Sequence, residues 1–361
     1  MVDVAIAEVM TVLGPVPVGS LGVTLAHEHV FFDLDCYYSQ ADDDPDGAMA
    51  ASTVAPERLW WLRAHPMNMR DNLLHRDVDV AVEEVRAFAQ AGGGTLVDVT
   101  PIGAAPHPAG LIEVARRTGV HIVTGTGFYT GASYATHPAG YGGWSMAQFA
   151  DHLRRDFEDG IEGSGARAAL IGELGVGNPP LPIERRVLEA AARVQRERGC
   201  AVTLHPAWGA EGALATARAA EDAGIDPQRT SLSHLDNRFR DDVVAFTELA
   251  ARGFFLNLDT FGRELYYPHV DTQLPSDADR IRAVRGVLDA GYGDRLLLAQ
   301  DICFKHELVR YGGHGYAHVL RTIRPRLLRS GVPPAAIHAM LVENPRTWLT
   351  GQRGRKESAP A

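Results

Sequence analysis

Two histidines separated by one residue, His27-Glu28-His29, end the first apolar run of the chain, Gly22-Val23-Thr24-Leu25-Ala26. Alternate side chains of a β-strand share a face, so His27 and His29 can offer two imidazoles to one cation while Glu28 turns away. That donor pair suits zinc or another borderline divalent metal. Alone, a His-x-His is a weak signal and reads more readily as a polar loop. What strengthens it is where other apolar runs end: the fourth in Glu173, the fifth in His205, the sixth in His234 and the eighth in Asp301. Taken singly, His205 before Pro206 could be a turn residue and Asp301 a helix cap. Taken together, four imidazoles and two carboxylates exceed the needs of one tetrahedral ion. They match two ions sharing a bridging carboxylate, an arrangement that acidifies a water and polarises a carbonyl or phosphoryl oxygen.

The elements that must position these groups follow from the alternation of the sequence. Apolar runs bounded by turn residues occupy 23–27, 95–99, 120–124, 168–172, 201–205, 230–234, 254–258 and 295–299. Near-continuous hydrophobicity of this kind marks strands buried on both faces. Between them lie helical patterns at 78–91, 183–198, 211–223 and 241–252, stopped by Gly92, Gly199, Gly224 and Gly253. Eight strand–helix units with right-handed crossovers close most simply into an α/β fold of the (β/α)8 TIM-barrel type, whose catalytic groups gather at the C-terminal strand ends. A doubly wound open sheet is the alternative, but no Gly-x-Gly-x-x-Gly follows an early strand. Residues 3–21 read as a short strand pair around Gly14-Pro15 that closes the bottom of the barrel.

With 361 residues, 45% of them hydrophobic, the chain can fill one large core. The expected organisation is one barrel domain over 1–351 and a polar tail over 352–361. A formal net charge of -10 without a basic stripe excludes the electrostatic footprint of a nucleic-acid binder. No stretch approaches the ~18 apolar residues of a membrane span, so a cytoplasmic protein acting on a small molecule, without nucleic-acid or membrane partners, is expected. Cys36, Cys200 and Cys303 stand singly, which argues against a disulfide framework and against a thiolate metal site.

The ordered set His27-x-His29, Glu173, His205, His234 and Asp301 resembles that of the amidohydrolase superfamily, specifically the phosphotriesterase-related family. The similarity runs from about Gly19 to Leu349. It includes Thr124-Gly125-Thr126-Gly127-Phe128-Tyr129, Phe261-Gly262-Arg263 with Tyr266-Tyr267-Pro268, Gly312-Gly313-His314-Gly315-Tyr316 and Glu343-Asn344-Pro345. The resemblance implies that His27, His29 and Asp301 hold a more buried ion and His205 and His234 a more exposed one. Glu173 and a hydroxide would bridge the two. Zinc is the expected ion, with manganese, cobalt or ferrous iron as alternatives. Asp301, besides its ligand role, would be the catalytic proton acceptor.

Departures from the family pattern bear on the substrate. Many relatives bridge the ions with a carboxylated lysine, whereas Glu173 in Ile171-Gly172-Glu173-Leu174-Gly175 points to the glutamate-bridged branch. The positions that carry an acidic relay or an arginine in phosphotriesterases and lactonases fall on Asn237 and Thr260. The expected reaction is therefore attack on a carboxylic ester, lactone or amide carrying a negative group. Phosphoester or phosphotriester hydrolysis is the alternative, as is a catalytically silent metal-binding barrel.

Tyr129, Arg263 and Tyr267 are the expected substrate contacts, Arg263 being placed at the mouth to meet an anion. His314 belongs to a loop expected to cover the pocket, and Asp98 is a candidate hydrogen-bond partner of a ligand histidine. The segment 42–72 pairs an acidic loop with the apolar Trp60-Trp61-Leu62. It reads as an insertion at the active-site mouth, shaping specificity or a homodimer contact.

Overall fold

Every apolar run becomes a strand. The computed structural model describes residues 7–134, 140–240 and 242–352. In it, β1 (Val23–Glu28), β2 (Gly93–Asp98), β3 (His121–Thr126), β4 (Leu170–Gly175), β5 (Ala201–His205), β6 (Thr230–Leu232), β7 (Phe255–Leu258) and β8 (Leu296–Leu298) form one eight-stranded sheet in chain order. Neighbours pair in parallel throughout, and helices between them give the (β/α)8 barrel.

The two outer strands of that order meet through Glu28. Facing away from its flanking histidines, its buried carboxylate accepts hydrogen bonds from Gln300 N at 2.8 Å and Ile302 N at 3.1 Å. Between those two donors, Asp301 N donates to His27 O at 3.2 Å. The seam between β1 and the end of β8 is thus fastened at the residues that carry the candidate ligands.

The helices follow their sequence signals. Asp77 caps α1 (Val78–Gln90) by accepting from Asp79 N and Val80 N, and the helix buries Val82, Val85 and Phe88. Gly93 opens β2 because a Cβ there would lie 2.2 Å from the Phe88 ring, so only glycine lets helix and strand approach. In α2 (Pro182–Arg198) proline stands in the first turn and Gly199 takes the left-handed conformation after the last. The helix expected at 211–223 spans Gly209–Asp222, and that expected at 241–252 spans Val243–Ala251. Residues 3–6, His137, Asp241 and the tail from 353 lie outside the described residues.

The bottom of the barrel is closed as expected. Glu8–Thr11 and Gly14–Pro17 pair antiparallel, and Val9 joins Leu21, Val97, Val123, Leu170, Ala201, Phe255, Leu297 and Trp348 in one apolar cluster. The Trp348 indole N–H reaches Val202 O at 3.2 Å. Among the described residues no helix is long and apolar enough to cross a membrane.

The insertion after β1 packs on itself through Trp61, Leu62 and Met69 against Ala41 and Val54, leaving Trp60 exposed. It is tied to the segment after β8 by a Lys305–Asp71 ion pair and by His306 N donating to Asn72 Oδ1 at 2.9 Å. These ties place it at the C-terminal end of the barrel.

Replacing Glu28 by alanine leaves two buried backbone N–H groups without acceptors, at about 1–3 kcal/mol each. Glu28→Ala is expected to lose roughly 2–5 kcal/mol of stability in chemical denaturation. A loss below about 0.5 kcal/mol would show that the seam does not depend on this carboxylate.

Candidate metal centre

The C-terminal ends of five strands bring His27, His29, Glu173, His205, His234 and Asp301 into one cluster. Three groups of donor atoms lie within 4.8 Å of one another: His27, His29 and Glu173; His27, His234 and Asp301; Glu173, His205 and His234. Glu173 stands between the two histidine pairs. Its Oε1 is 3.4 Å from His29 Nε2, and its Oε2 is 3.5 Å from His27 Nε2, 3.1 Å from His205 Nδ1 and 3.7 Å from His234 Nε2. Asp301 Oδ1 lies 3.4 Å from His27 Nε2 and 3.3 Å from His29 Nε2.

These separations fit a shared cation. Donors ~2.1 Å from a common ion stand about 3.4 Å apart along a tetrahedral edge, and apart from the 3.1 Å hydrogen bond of His205 these separations are longer than good hydrogen bonds. His27 Nε2 is fully buried and has no hydrogen-bond partner. An orphaned imidazole nitrogen aimed at two carboxylates is the observation expected of a ligand, since buried polar atoms otherwise find partners.

The second nitrogen of three histidines is held. His27 Nδ1 meets Ser233 Oγ at 2.9 Å, His29 Nδ1 meets Thr100 Oγ1 at 2.9 Å, and His234 Nδ1 meets Asp259 Oδ1 at 3.0 Å. Asp259 Oδ2 also lies 3.2 Å from His27 Nδ1. These contacts fix ring orientation and leave Nε2 for the cluster. The backbone is bent to match: φ is 58° at His234 and 52° at Asp301. Left-handed conformations of this kind cost ~1–3 kcal/mol for such residues and collect at functional sites. Glu173 is brought in by a close approach of strands, a Cβ on Gly172 lying 2.5 Å from Thr203.

Electrostatics of the cluster are dominated by mutual compensation. Burial opposes the charge on His29, but Asp301 and Glu173 outweigh it and hold its pKa at about 10. Burial likewise opposes charge on His234, where Asp259 and Asp301 raise the pKa to about 10. Burial would raise Glu173, yet the surrounding histidines, His205 first, hold it well below the carboxylate range. Asp301 is held low against burial chiefly by Arg263. His205 is lowered by burial.

The cluster opens on a cavity of about 680 Å³, lined among others by Tyr129, His205, Trp208, His234, Asn237, Arg238, Arg263, Tyr267, His269 and Asp301. Met67 of the insertion also lines it. Tyr129 meets the His205 ring edge-on at 5.5 Å, and Tyr267 lies beside Trp208 at 5.9 Å.

Several sequence expectations are corrected here. Arg263 lines the cavity but is not a free cation at its mouth. It is buried, with Nη1 on Asp301 Oδ2 at 2.7 Å, and Nε and Nη2 on Glu307 at 2.6 and 2.9 Å. His314 lines a separate cavity of about 460 Å³ with Arg63, Glu264 and His306, to which Arg263 also contributes. Asp98 touches no ligand imidazole; it accepts from Val30 N at 2.8 Å and Thr100 N at 3.1 Å, and so supports the threonine that does. Thr260 is buried behind the site on Asn237 and on Asp236, whose charge pairs with Arg280 at 2.7 Å. Sequence reasoning missed Asp259, although it follows the seventh apolar run directly, and it missed Ser233, Arg238 and His269.

The model of the phosphotriesterase family matches residues 7–349. The chain is 37% identical over 346 residues to the N-acetyltaurine hydrolase of Bos taurus, covering 95% of this chain and 98% of that one. Among solved structures, a resiniferatoxin-binding protein from Rhodobacter sphaeroides superposes with a TM-score of 0.90 at 36% identity, covering 96% of each chain. A mutant of a PTE-like lactonase from Deinococcus radiodurans superposes with a TM-score of 0.71 at 27% identity, covering 94% of this chain and 99% of that one.

A ligand imidazole must be neutral, whereas His29 and His234, raised to about 10, keep their protons at neutral pH in the metal-free chain. Zinc binding is therefore expected to release protons at neutral pH and to strengthen as pH rises toward 10. Calorimetry in two buffers of different ionisation enthalpy measures the release, and identical apparent enthalpies would contradict it.

Proposed function

The chain belongs to the phosphotriesterase family and is a hydrolase, and from that premise we propose that it uses two divalent ions to cleave the amide bond of a small N-acylated amino acid or aminosulfonate. The observation that carries this reading is the position of Glu173 between two histidine pairs, with His27 Nε2 buried and unpartnered beside it. Choice of the amide among carbonyl substrates is supported by the N-acetyltaurine hydrolases that the chain resembles over nearly its whole length.

His27, His29 and Asp301 would hold one ion, His205 and His234 the other, with Glu173 shared. Divalent ions bound there supply an acidified water and a Lewis acid for the scissile carbonyl. The chain's own groups do the rest. Ser233, Thr100 and Asp259 keep the imidazoles in register. Asp301 lines the cavity whereas Glu173 does not, so Asp301 is the carboxylate placed to take a proton from the attacking water. Arg263 donates to its Oδ2 and holds it ionised between turnovers, and the second lone pair of that oxygen carries the proton to the leaving nitrogen. Tyr129 and Tyr267 wall the space that the acyl compound would occupy.

A neutral amide at position 173 cannot balance two adjacent dications. Glu173→Gln is expected to lower metal content and to reduce kcat/KM on the order of a hundredfold or more. Metal analysis, with a substrate panel of N-acyl amino acids, N-acetyltaurine, a lactone and a neutral phosphotriester, tests both parts. Full metal content and full rate in the variant would remove the bridging assignment. A metal-loaded chain that hydrolyses no member of the panel would favour a ligand-binding barrel instead.

A further inference from the structure

Two arginines line the principal cavity, and their charges are treated in opposite ways. Arg263 lies between Asp301 and Glu307. Arg238 has no carboxylate partner among the described residues. Its Nε donates to Ala207 O at 3.1 Å and its Nη2 to Pro206 O at 3.2 Å, while the guanidinium lies over the Trp208 ring at 4.3 Å. The residue is only 8% exposed, yet Nη1 meets no protein acceptor and is not among the atoms sealed from solvent, so this donor opens on the cavity that Arg238 lines.

An arginine in that setting keeps its charge. Burial lowers its pKa to about 10, which leaves it cationic at neutral pH. The carboxylates nearest to it are already engaged, Asp236 by Arg280 and Asp259 by His234. What remains is a desolvated cation, oriented by backbone carbonyls and an aromatic face, with donors free on the cavity side. Around it stand Trp208, Tyr267 and His269, with ring separations of 5.4 to 6.4 Å. Arg238 lies on the short helix Leu235–Phe239 that follows His234, and its backbone N–H donates to His234 O at 3.1 Å.

We propose that Arg238 is the anion-binding residue of the cavity, receiving the carboxylate or sulfonate of an N-acylated amino compound on its guanidinium and setting the preference for anionic over neutral amides. The proposal rests on the amide-hydrolase reading for the identity of the bond that is cleaved. It does not depend on that reading for the binding of the anion. The free Nη1 carries two N–H groups that can donate to oxygens of either anion, and the aromatic wall accommodates the short carbon linker.

The test compares N-acetyltaurine with its neutral sulfonamide, which differs only at the group Arg238 would meet. In Arg238→Met the ratio of kcat/KM for the anionic to the neutral compound should fall ten- to a hundredfold, the loss appearing mainly in KM. Arg238→Lys should recover part of that ratio. Binding of N-acetyltaurine to protein whose metal content is verified, followed by calorimetry, should weaken by a similar factor in the methionine variant. A purely structural role in tying down 206–208 would lower both substrates equally and leave the ratio unchanged, and that result overturns the proposal. So does undiminished calorimetric binding. If the parent protein hydrolyses neither compound but binds N-acetyltaurine in an Arg238-dependent way, the amide-hydrolase reading fails while the anion site stands. Should Arg238→Met not fold, Arg238→Gln, which can still donate to a backbone carbonyl, provides the same ratio.

Discussion

A buried carboxylate surrounded by imidazoles is the constraint from which the rest of the upper barrel follows. Glu173 is 1% exposed, and an isolated charge at that depth would be far too costly to keep ionised. It is tolerated because the ends of β1, β5 and β6 deliver His27, His29, His205 and His234 around it. The strands are held to that convergence by backbone features that have no other rationale: the close approach at Gly172, and the left-handed φ at His234 and Asp301. Strain of a few kcal/mol is sustainable because the seam at Glu28 and the hydrogen bonds of Asp259 over-determine the positions on either side.

Around this centre runs a second ring of polar residues that determines which nitrogen each histidine presents. Ser233, Thr100 and Asp259 all approach Nδ1, which leaves Nε2 of three histidines pointing inward. Asp98 and Asp236 act one step further out, holding Thr100 and Thr260 through hydrogen bonds. The cluster is therefore preorganised before any ion enters, with His29 and His234 protonated against the carboxylates. A site arranged in this way exchanges protons for metal with little movement of the chain.

Much of this was legible in the sequence, and the parts that were not share a cause. The barrel could be read because each parallel strand is a short apolar run, and the ligand set because those runs end in polar residues of the right type. Glu28 could be read as facing away because strand periodicity dictates it. Asp259 and Thr260 stand side by side after the seventh run, and only the fold shows that Asp259 faces two histidines and that Thr260 lies behind. Arg263 looked like a mouth cation because its partner Glu307 stands 44 residues away. Arg238 carried no signal in the sequence because the wall that buries it comes from other elements, Trp208 after β5 and Tyr267 after β7. A charge is visible in sequence, but its compensation is a property of three-dimensional neighbours.

The two arginines show why that distinction matters for specificity. A buried guanidinium that is paired with carboxylates adds almost nothing to the field in the cavity, however near it lies, because the opposite charges sit within hydrogen-bond distance. Arg263 is in that position: it anchors Asp301 and so serves the centre, and an incoming anion would have to compete with Asp301 and Glu307 for its donors. A guanidinium held by backbone carbonyls and an indole face has the reverse property. Its supports carry dipoles rather than net charge, so the positive potential extends into the cavity, where low dielectric and partial exclusion of water keep it strong. A substrate that is neutral at the far end from its acyl group gains nothing from Arg238, whereas one that ends in a carboxylate or sulfonate completes the only uncompensated cation lining the cavity among the described residues.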